Sequence, residues 1–141
     1  MKWVKWFLSG VLAVPLGHQI ALLLLNAVGF TARPAFSMDA TRPFGVPAVI
    51  SLAFWGGVWG IILGLVLMRT HGSKFWIVAL SFGALVPTLV AGLVVQPLKG
   101  MPAGGDSKMI AIGLIINGVW ALATAAFYRL ISRTADRTPA A

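Results

Sequence analysis

Residues 46–68 read VPAVISLAFWGGVWGIILGLVLM, a run without a single charged side chain. A helix needs about 20 consecutive apolar residues to cross the hydrocarbon core of a bilayer. The run therefore predicts a transmembrane helix. Three further segments are as apolar and also lack acidic residues, and with the first they place helices at about 6–30, 46–68, 75–95 and 109–131.

The four segments predict an all-α integral membrane protein, an up-and-down four-helix bundle that forms one membrane domain over residues 1–141. A short polar tail follows at 132–141. Composition agrees with this fold class, because 59% of the residues are apolar and 10% are charged, whereas soluble domains carry about 25% charged residues. The length leaves no room for a second domain of ordinary size.

The basic residues indicate how the chain is oriented. The chain has eleven Lys and Arg residues and three acidic residues, for a net charge of +8. The basic residues lie at the ends of the apolar segments. This distribution is typical of topology anchors, so we expect no nucleic-acid partner. With four spans, the side that holds both termini and the middle loop carries Lys2, Lys5, Arg69, Lys74, Arg129, Arg133 and Arg137. The opposite side carries Arg33, Arg42, Lys99 and Lys108. The positive-inside rule then predicts a multi-pass protein of the cell (inner) membrane with both termini cytoplasmic.

The two halves of the chain resemble each other weakly. Lys5-Trp6-Phe7 is echoed by Lys74-Phe75-Trp76, and Gly57-Val58-Trp59 by Gly118-Val119-Trp120. Two interpretations stay open. One is a tandem repeat of two helical hairpins related by an axis along the membrane normal. The other is chance matching between apolar sequences.

Small residues form the best local pattern. Gly56, Gly60 and Gly64 recur at four-residue spacing in the second segment, a glycine zipper that gives one flat helix face. A similar stripe of small residues runs along the fourth segment: Ala111, Gly118, Ala121 and Ala125. Such faces let helix backbones approach closely in lipid. They predict either packing inside the chain's own bundle, which we favour because four helices offer internal partners, or an interface with a second copy or another membrane subunit.

Polar side chains inside the segments are the second candidate site. With the termini inside, they lie at the midplane or in the outer half of the membrane, and two loop arginines would form the rim. The set is His18, Gln19, Asn26, Thr88, Gln96, Asn117, Arg33 and Arg42. We weigh a pocket for a small polar solute against interhelical hydrogen bonding, and favour the second because a few buried amides are ordinary in helical bundles.

His18 is the most specific functional candidate in the sequence, because a midplane histidine can bind a proton, a metal or a haem iron. The apolar segments contain no second His and no Asp, Glu or Cys to share a metal or relay protons. A structural, hydrogen-bonded histidine is therefore the favoured interpretation.

Catalysis has little support in the sequence. The absence of cysteine excludes thiol chemistry and Cys-ligated metals, and no Ser-His-Asp set or intramembrane carboxylate is present. We expect no enzyme activity, no metal and no cofactor. The leading hypothesis is a non-catalytic accessory or structural subunit of a homo-oligomeric or larger membrane complex, with the lipid bilayer as its surroundings. The alternative is a small-solute carrier or channel that uses the polar pocket.

Overall fold

The computed structural model describes residues 1–135 and is almost entirely helical. Four of its helical stretches are long and apolar enough to cross a membrane, and we call them spans 1 to 4: Lys2–Ala27, Ala48–Leu67, Gly72–Leu98 and Ser107–Thr134. This confirms the predicted all-helical chain with four helices of membrane-spanning length.

The elements follow the sequence pattern closely. In chain order they are α1 Lys2–Ala13, a π-helical turn Val14–His18, α2 Gln19–Ala27, β1 Ala40–Thr41, β2 Val46–Pro47, α3 Ala48–Leu67, α4 Gly72–Val90, a second π-helical turn Ala91–Val95, α5 Gln96–Leu98 and α6 Ser107–Ala135. Spans 1 and 3 are each continuous helices with a local π-helical widening. We call the chain between spans 1 and 2 loop 1 and the chain between spans 3 and 4 loop 3.

The helix ends differ from the predicted ones by a few residues. Span 1 begins at Lys2 and ends at Ala27 instead of residue 30, because the chain turns at Gly29 with a φ of +73°. The fourth helix continues to Ala135, four residues into the predicted polar tail. The remainder of that tail lies outside the described residues. Hydropathy marks the part of a helix that meets hydrocarbon, whereas backbone hydrogen bonding extends into polar flanks.

Spans 1 and 4 form the centre of the molecule. Span 1 packs against spans 2 and 4, and span 3 packs mainly against span 4. Spans 2 and 3 touch each other little, with a contact between the rings of Trp59 and Phe82 whose centroids are 6.3 Å apart. Within an 18-residue apolar window of each helix, the buried share is therefore 44% in span 1 and 39% in span 4, but 28% in span 2 and 22% in span 3.

Successive spans run in opposite directions. Along span 1, Trp6 faces Gly64 of span 2 and Val14 faces Gly56, so the numbering rises on one helix as it falls on the other. Span 3 meets span 4 in the same manner. One end of the molecule thus holds the start of span 1 and the end of span 4, and we call it the terminal end. Loops 1 and 3 lie at the other end, the loop end.

Loop 1 contains a small β-hairpin, which the sequence analysis did not predict. Its antiparallel strands pair Ala40 with Pro47 and Thr41 with Val46. Gly45, with a φ of +67°, closes the turn by donating its N–H to the Thr41 carbonyl at 2.8 Å. The hairpin leads directly into span 2, so the predicted start of that helix at residue 46 moves to Ala48.

Candidate functional site

The row Gly56, Gly60 and Gly64 packs against span 1 of the same chain. A Cβ atom added to Gly60 would lie 2.6 Å from the Trp6 carbonyl oxygen, and one added to Gly64 would lie 2.6 Å from the Trp6 ring. Gly10 of span 1 is equally close, because a Cβ there would overlap the Gly56 carbonyl. Backbone therefore meets backbone along this seam, which is what small residues allow between helices in lipid.

A hydrogen bond joins span 4 to span 1 at Gly10, the glycine that packs against span 2. Pro15 has no N–H to donate, and the helix departs from α geometry around it: Val14 donates its N–H to the Val11 carbonyl, three residues back, and a π-helical turn follows in which Gln19 donates to the Val14 carbonyl. The Gly10 carbonyl then accepts a hydrogen bond of 3.1 Å from the indole Nε1–H of Trp120. The sequence pattern does not indicate this bond, since nothing in it joins the two helices.

The small-residue stripe of span 4 divides between its neighbours. Gly118 lies against Leu80 and Ala84 of span 3, and Ala121 lies directly against Gly83 of the same span. Ala125 is fully buried in the core cluster, whereas Ala111 is only partly buried near the loop end. The stripe thus serves mainly the seam between spans 3 and 4.

Gln19 holds loop 1 against the helices. Its side-chain carbonyl oxygen accepts the backbone N–H of Phe36 at 2.7 Å, and its amide nitrogen lies 3.3 Å from Nδ1 of His18. Both side chains are buried. Phe36 adopts a φ of +55°, a conformation that non-glycine residues seldom take. His18 thus lies within hydrogen-bond distance of the Gln19 amide, and Gln19 makes the contact to the loop backbone.

Asn26 supports the same loop from the end of span 1. Its amide donates to the carbonyls of Thr31 at 3.1 Å and Arg33 at 3.2 Å. Ala35 packs on an apolar cluster that includes Leu22 of span 1 and residues of span 4. Gln19 lies eight residues before the end of span 1, or about 12 Å along the helix axis. Since Phe36 of loop 1 bonds to Gln19, loop 1 folds back along the helices by about this distance.

The hydrogen bond from the Phe36 N–H to the Gln19 side chain, which we call the latch, leads to a testable prediction. Gln19→Leu removes the acceptor for the Phe36 N–H, so loop 1 should open more often. Since the chain has no cysteine, a cysteine introduced at the half-buried Ala35 reports this opening. We expect it to react with a maleimide about tenfold faster in the Gln19→Leu background, because a lost hydrogen bond of about 1.4 kcal/mol changes an equilibrium tenfold.

Two controls belong to this experiment. Asn117→Leu removes a hydrogen bond elsewhere and should leave the reaction of Ala35→Cys unchanged. A cysteine at the exposed Ala40 should react fast in every background. Equal rates for Ala35→Cys with and without Gln19 would show that the latch does not hold the loop.

The other predicted polar residues lie in separate places. Asn117 donates to Thr88 Oγ1 at 3.0 Å and so joins spans 3 and 4. Gln96 lines an open cavity of about 400 Å³ under loop 3, together with Met101, Asp106 and Met109. Within residues 1–135, no hydrogen bond connects the His18–Gln19 pair to the Thr88–Asn117 pair.

The two loop arginines were predicted to form the rim of the pocket, and the backbone of Arg33 lies beside Asn26. Arg33 and Arg42 are both exposed, and Arg42 lies in the turn of the β-hairpin. In the part of the chain that the structure describes, no three His, Cys, Asp or Glu side chains come together. What the arrangement offers chemically is hydrogen bonding between helices and from helix to loop.

The terminal end holds an aromatic cluster that sequence reasoning did not identify. The rings of Trp6 and Tyr128 stack with centroids 3.8 Å apart. The Arg129 guanidinium lies 4.3 Å from the Phe75 ring centroid and 5.1 Å from that of Trp76. The only signal in the sequence is that aromatic and basic residues share the ends of the apolar segments, as is usual at a membrane interface.

Comparisons with protein-family models, with curated proteins and with solved structures give no match to this chain. Its function is therefore argued from the arrangement of its own residues.

Proposed function

We propose that this membrane protein is a non-catalytic structural or accessory module of a larger membrane assembly. The observation that carries the proposal is that its buried polar side chains are hydrogen-bonded within the chain. Among the described residues, the only buried side-chain oxygen or nitrogen without a hydrogen-bond partner is Ser132 Oγ. Gln19, Asn26 and Asn117, the amides that a solute would need, are engaged with the chain itself.

The glycine row narrows the surface that a partner can use. Span 1 fills the groove of Gly56, Gly60 and Gly64, so a second protein has no access to it. Spans 2 and 3 are the least covered helices and expose large side chains such as Trp55 and Leu85. We therefore assign partner contacts to spans 2 and 3, with both termini in the cytoplasm as the Lys and Arg distribution favours.

The alternative is a small-solute carrier or channel, and one observation favours it. The cavity of about 400 Å³ beside Gln96 is open at the loop end and has a carboxylate, Asp106, in its lining. That carboxylate already accepts the Met109 N–H at 2.7 Å at the start of span 4. Its surroundings are otherwise mostly apolar, so we rank this function second.

Mass measurement and crosslinking test the proposal together. The protein is extracted gently from its native membrane and weighed intact, and a photoreactive residue is placed at Trp55, at Leu85 or, as control, at Leu24 of span 1. Leu24 is as exposed as the other two (61% against 56% and 51%) but lies on a central helix. We expect a partner at fixed stoichiometry that crosslinks from spans 2 and 3 and not from Leu24.

A monomer that crosslinks only to lipid at all three positions would contradict the structural role. Binding measurements would then address the alternative, with Gln96→Leu, His18→Leu and Asn117→Leu as variants. A carrier that uses the predicted pocket loses solute binding in all three. A carrier that uses the cavity loses it in Gln96→Leu alone.

A further inference from the structure

The terminal end of the described chain is rich in basic side chains. Six cations lie there: Lys2, Lys5, Arg69, Lys74, Arg129 and Arg133. The acids Asp39 and Asp106 belong to loops 1 and 3 at the opposite end. Within residues 1–135, none of the six cations therefore has a carboxylate partner, so this end attracts anions.

Three of these cations belong to the ends of spans 3 and 4 that pack together at the terminal end. Arg129 is held over the rings of Phe75 and Trp76, and Lys74 immediately precedes those rings in the chain. Arg133 follows Arg129 by four residues, so it lies on the same helix face about 6 Å further along. Aromatic contacts fix the guanidinium plane and leave its N–H groups free of carboxylates, a geometry suited to phosphate oxygens.

The surroundings of this cluster suit a lipid better than a soluble anion. Leu130 and Ile77, the chain neighbours of Arg129 and Trp76, are 55% and 63% exposed and offer apolar surface for acyl chains. A cleft of about 140 Å³ opens beside the cluster, with Phe75 in its wall and Lys2 at its rim. The terminal end thus offers basic side chains next to exposed apolar surface, and a phospholipid can use both.

We propose that the terminal end binds an anionic phospholipid of the adjoining leaflet, with its phosphate between Arg129, Arg133 and Lys74. Basic clusters between transmembrane helices bind anionic headgroups in this way. The site is independent of the structural role argued above, since it needs no protein partner.

Lipid binding to the purified protein tests the proposal. Phosphatidylglycerol and phosphatidylcholine with identical acyl chains are titrated separately, and bound lipid is counted by native mass measurement. We expect a clear preference for phosphatidylglycerol. The double variant Arg129→Gln, Arg133→Gln should weaken that binding about thirtyfold, because each basic residue near the surface contributes about a fivefold factor. Lys74→Gln, at an exposed position, should weaken it about fivefold and serves if the double variant does not fold.

The matched control removes two charges from the loop end. Lys99→Gln with Lys108→Gln should leave phosphatidylglycerol binding unchanged; Lys108 also lies over a ring, 5.5 Å from the Phe30 centroid. Equal losses in both double variants would mean diffuse attraction rather than a site. Equal affinity for the two lipids would overturn the proposal, and so would full competition by soluble glycerol phosphate, which would make the site one for a free anion.

Discussion

Replacing Gly10 by alanine is expected to destabilise the protein by about 2–3 kcal/mol, although it adds a single methyl group. The new Cβ would overlap the Gly56 carbonyl and lie 3.1 Å from the Gly60 Cα, and both are backbone atoms that cannot turn aside. Alanine is better than glycine in a helix by about 1 kcal/mol, which offsets only part of the clash. Spans 1 and 2 must then separate. The free energy of unfolding in mixed detergent micelles measures the loss.

Gly118→Ala is the matched control for this substitution. Its Cβ would meet Leu80 Cδ1 at 3.1 Å and Ala84 Cβ at 3.6 Å, and the tighter of these contacts is the end of a flexible side chain. We expect a change within about 0.5 kcal/mol, since the gain in helix propensity balances the small adjustment. If both variants unfolded at the same detergent concentration, the close approach of spans 1 and 2 would be refuted.

The second large effect is expected from Trp120→Phe, at about 2 kcal/mol of lost stability. Phenylalanine keeps an aromatic ring but cannot donate to the Gly10 carbonyl. Hydrogen bonds between membrane helices contribute only about 0.6 kcal/mol on average, because the separated helices find other partners. Here the Val14 N–H, the usual α-helical donor to Gly10, donates to Val11 instead, so Trp120 supplies the hydrogen bond that the Gly10 carbonyl accepts. The cost of an unpaired buried carbonyl therefore decides the magnitude.

Trp55→Phe controls for the loss of an indole as such. Trp55 is 56% exposed, and its ring meets Phe54 edge-on with centroids 5.6 Å apart. A change within about 0.5 kcal/mol is expected at such a position. A loss at Trp120 no larger than that at Trp55 would show that the Gly10 carbonyl finds another donor. The same detergent titration serves both variants, with helix content followed by circular dichroism.

The candidate polar residues show how far sequence patterns reach. The depth of Gln19 and Asn117 follows from counting residues along a helix, and their need for hydrogen bonds follows from the cost of unpaired amides in lipid. Their partners do not follow. Asn117 bonds to Thr88 on another helix, whereas Gln19 bonds to the backbone of a loop that lies 17 residues further along the chain. A buried amide in an apolar segment can thus bond either to another helix or to a loop. Which partner it finds depends on how the helices are rotated about their axes.

By itself, the sequence determined that the chain is helical and that four helices are long enough to span a membrane, because the bilayer fixes the length of an apolar segment and requires its backbone to bond internally. It also marked Gly56, Gly60 and Gly64 as a surface of close approach. Only the tertiary structure decided that span 1 fills this surface, that Trp120 closes it, and that loop 1 folds back onto Gln19. Those outcomes depend on contacts between residues far apart in the chain, and short-range periodicity carries no information about which faces meet.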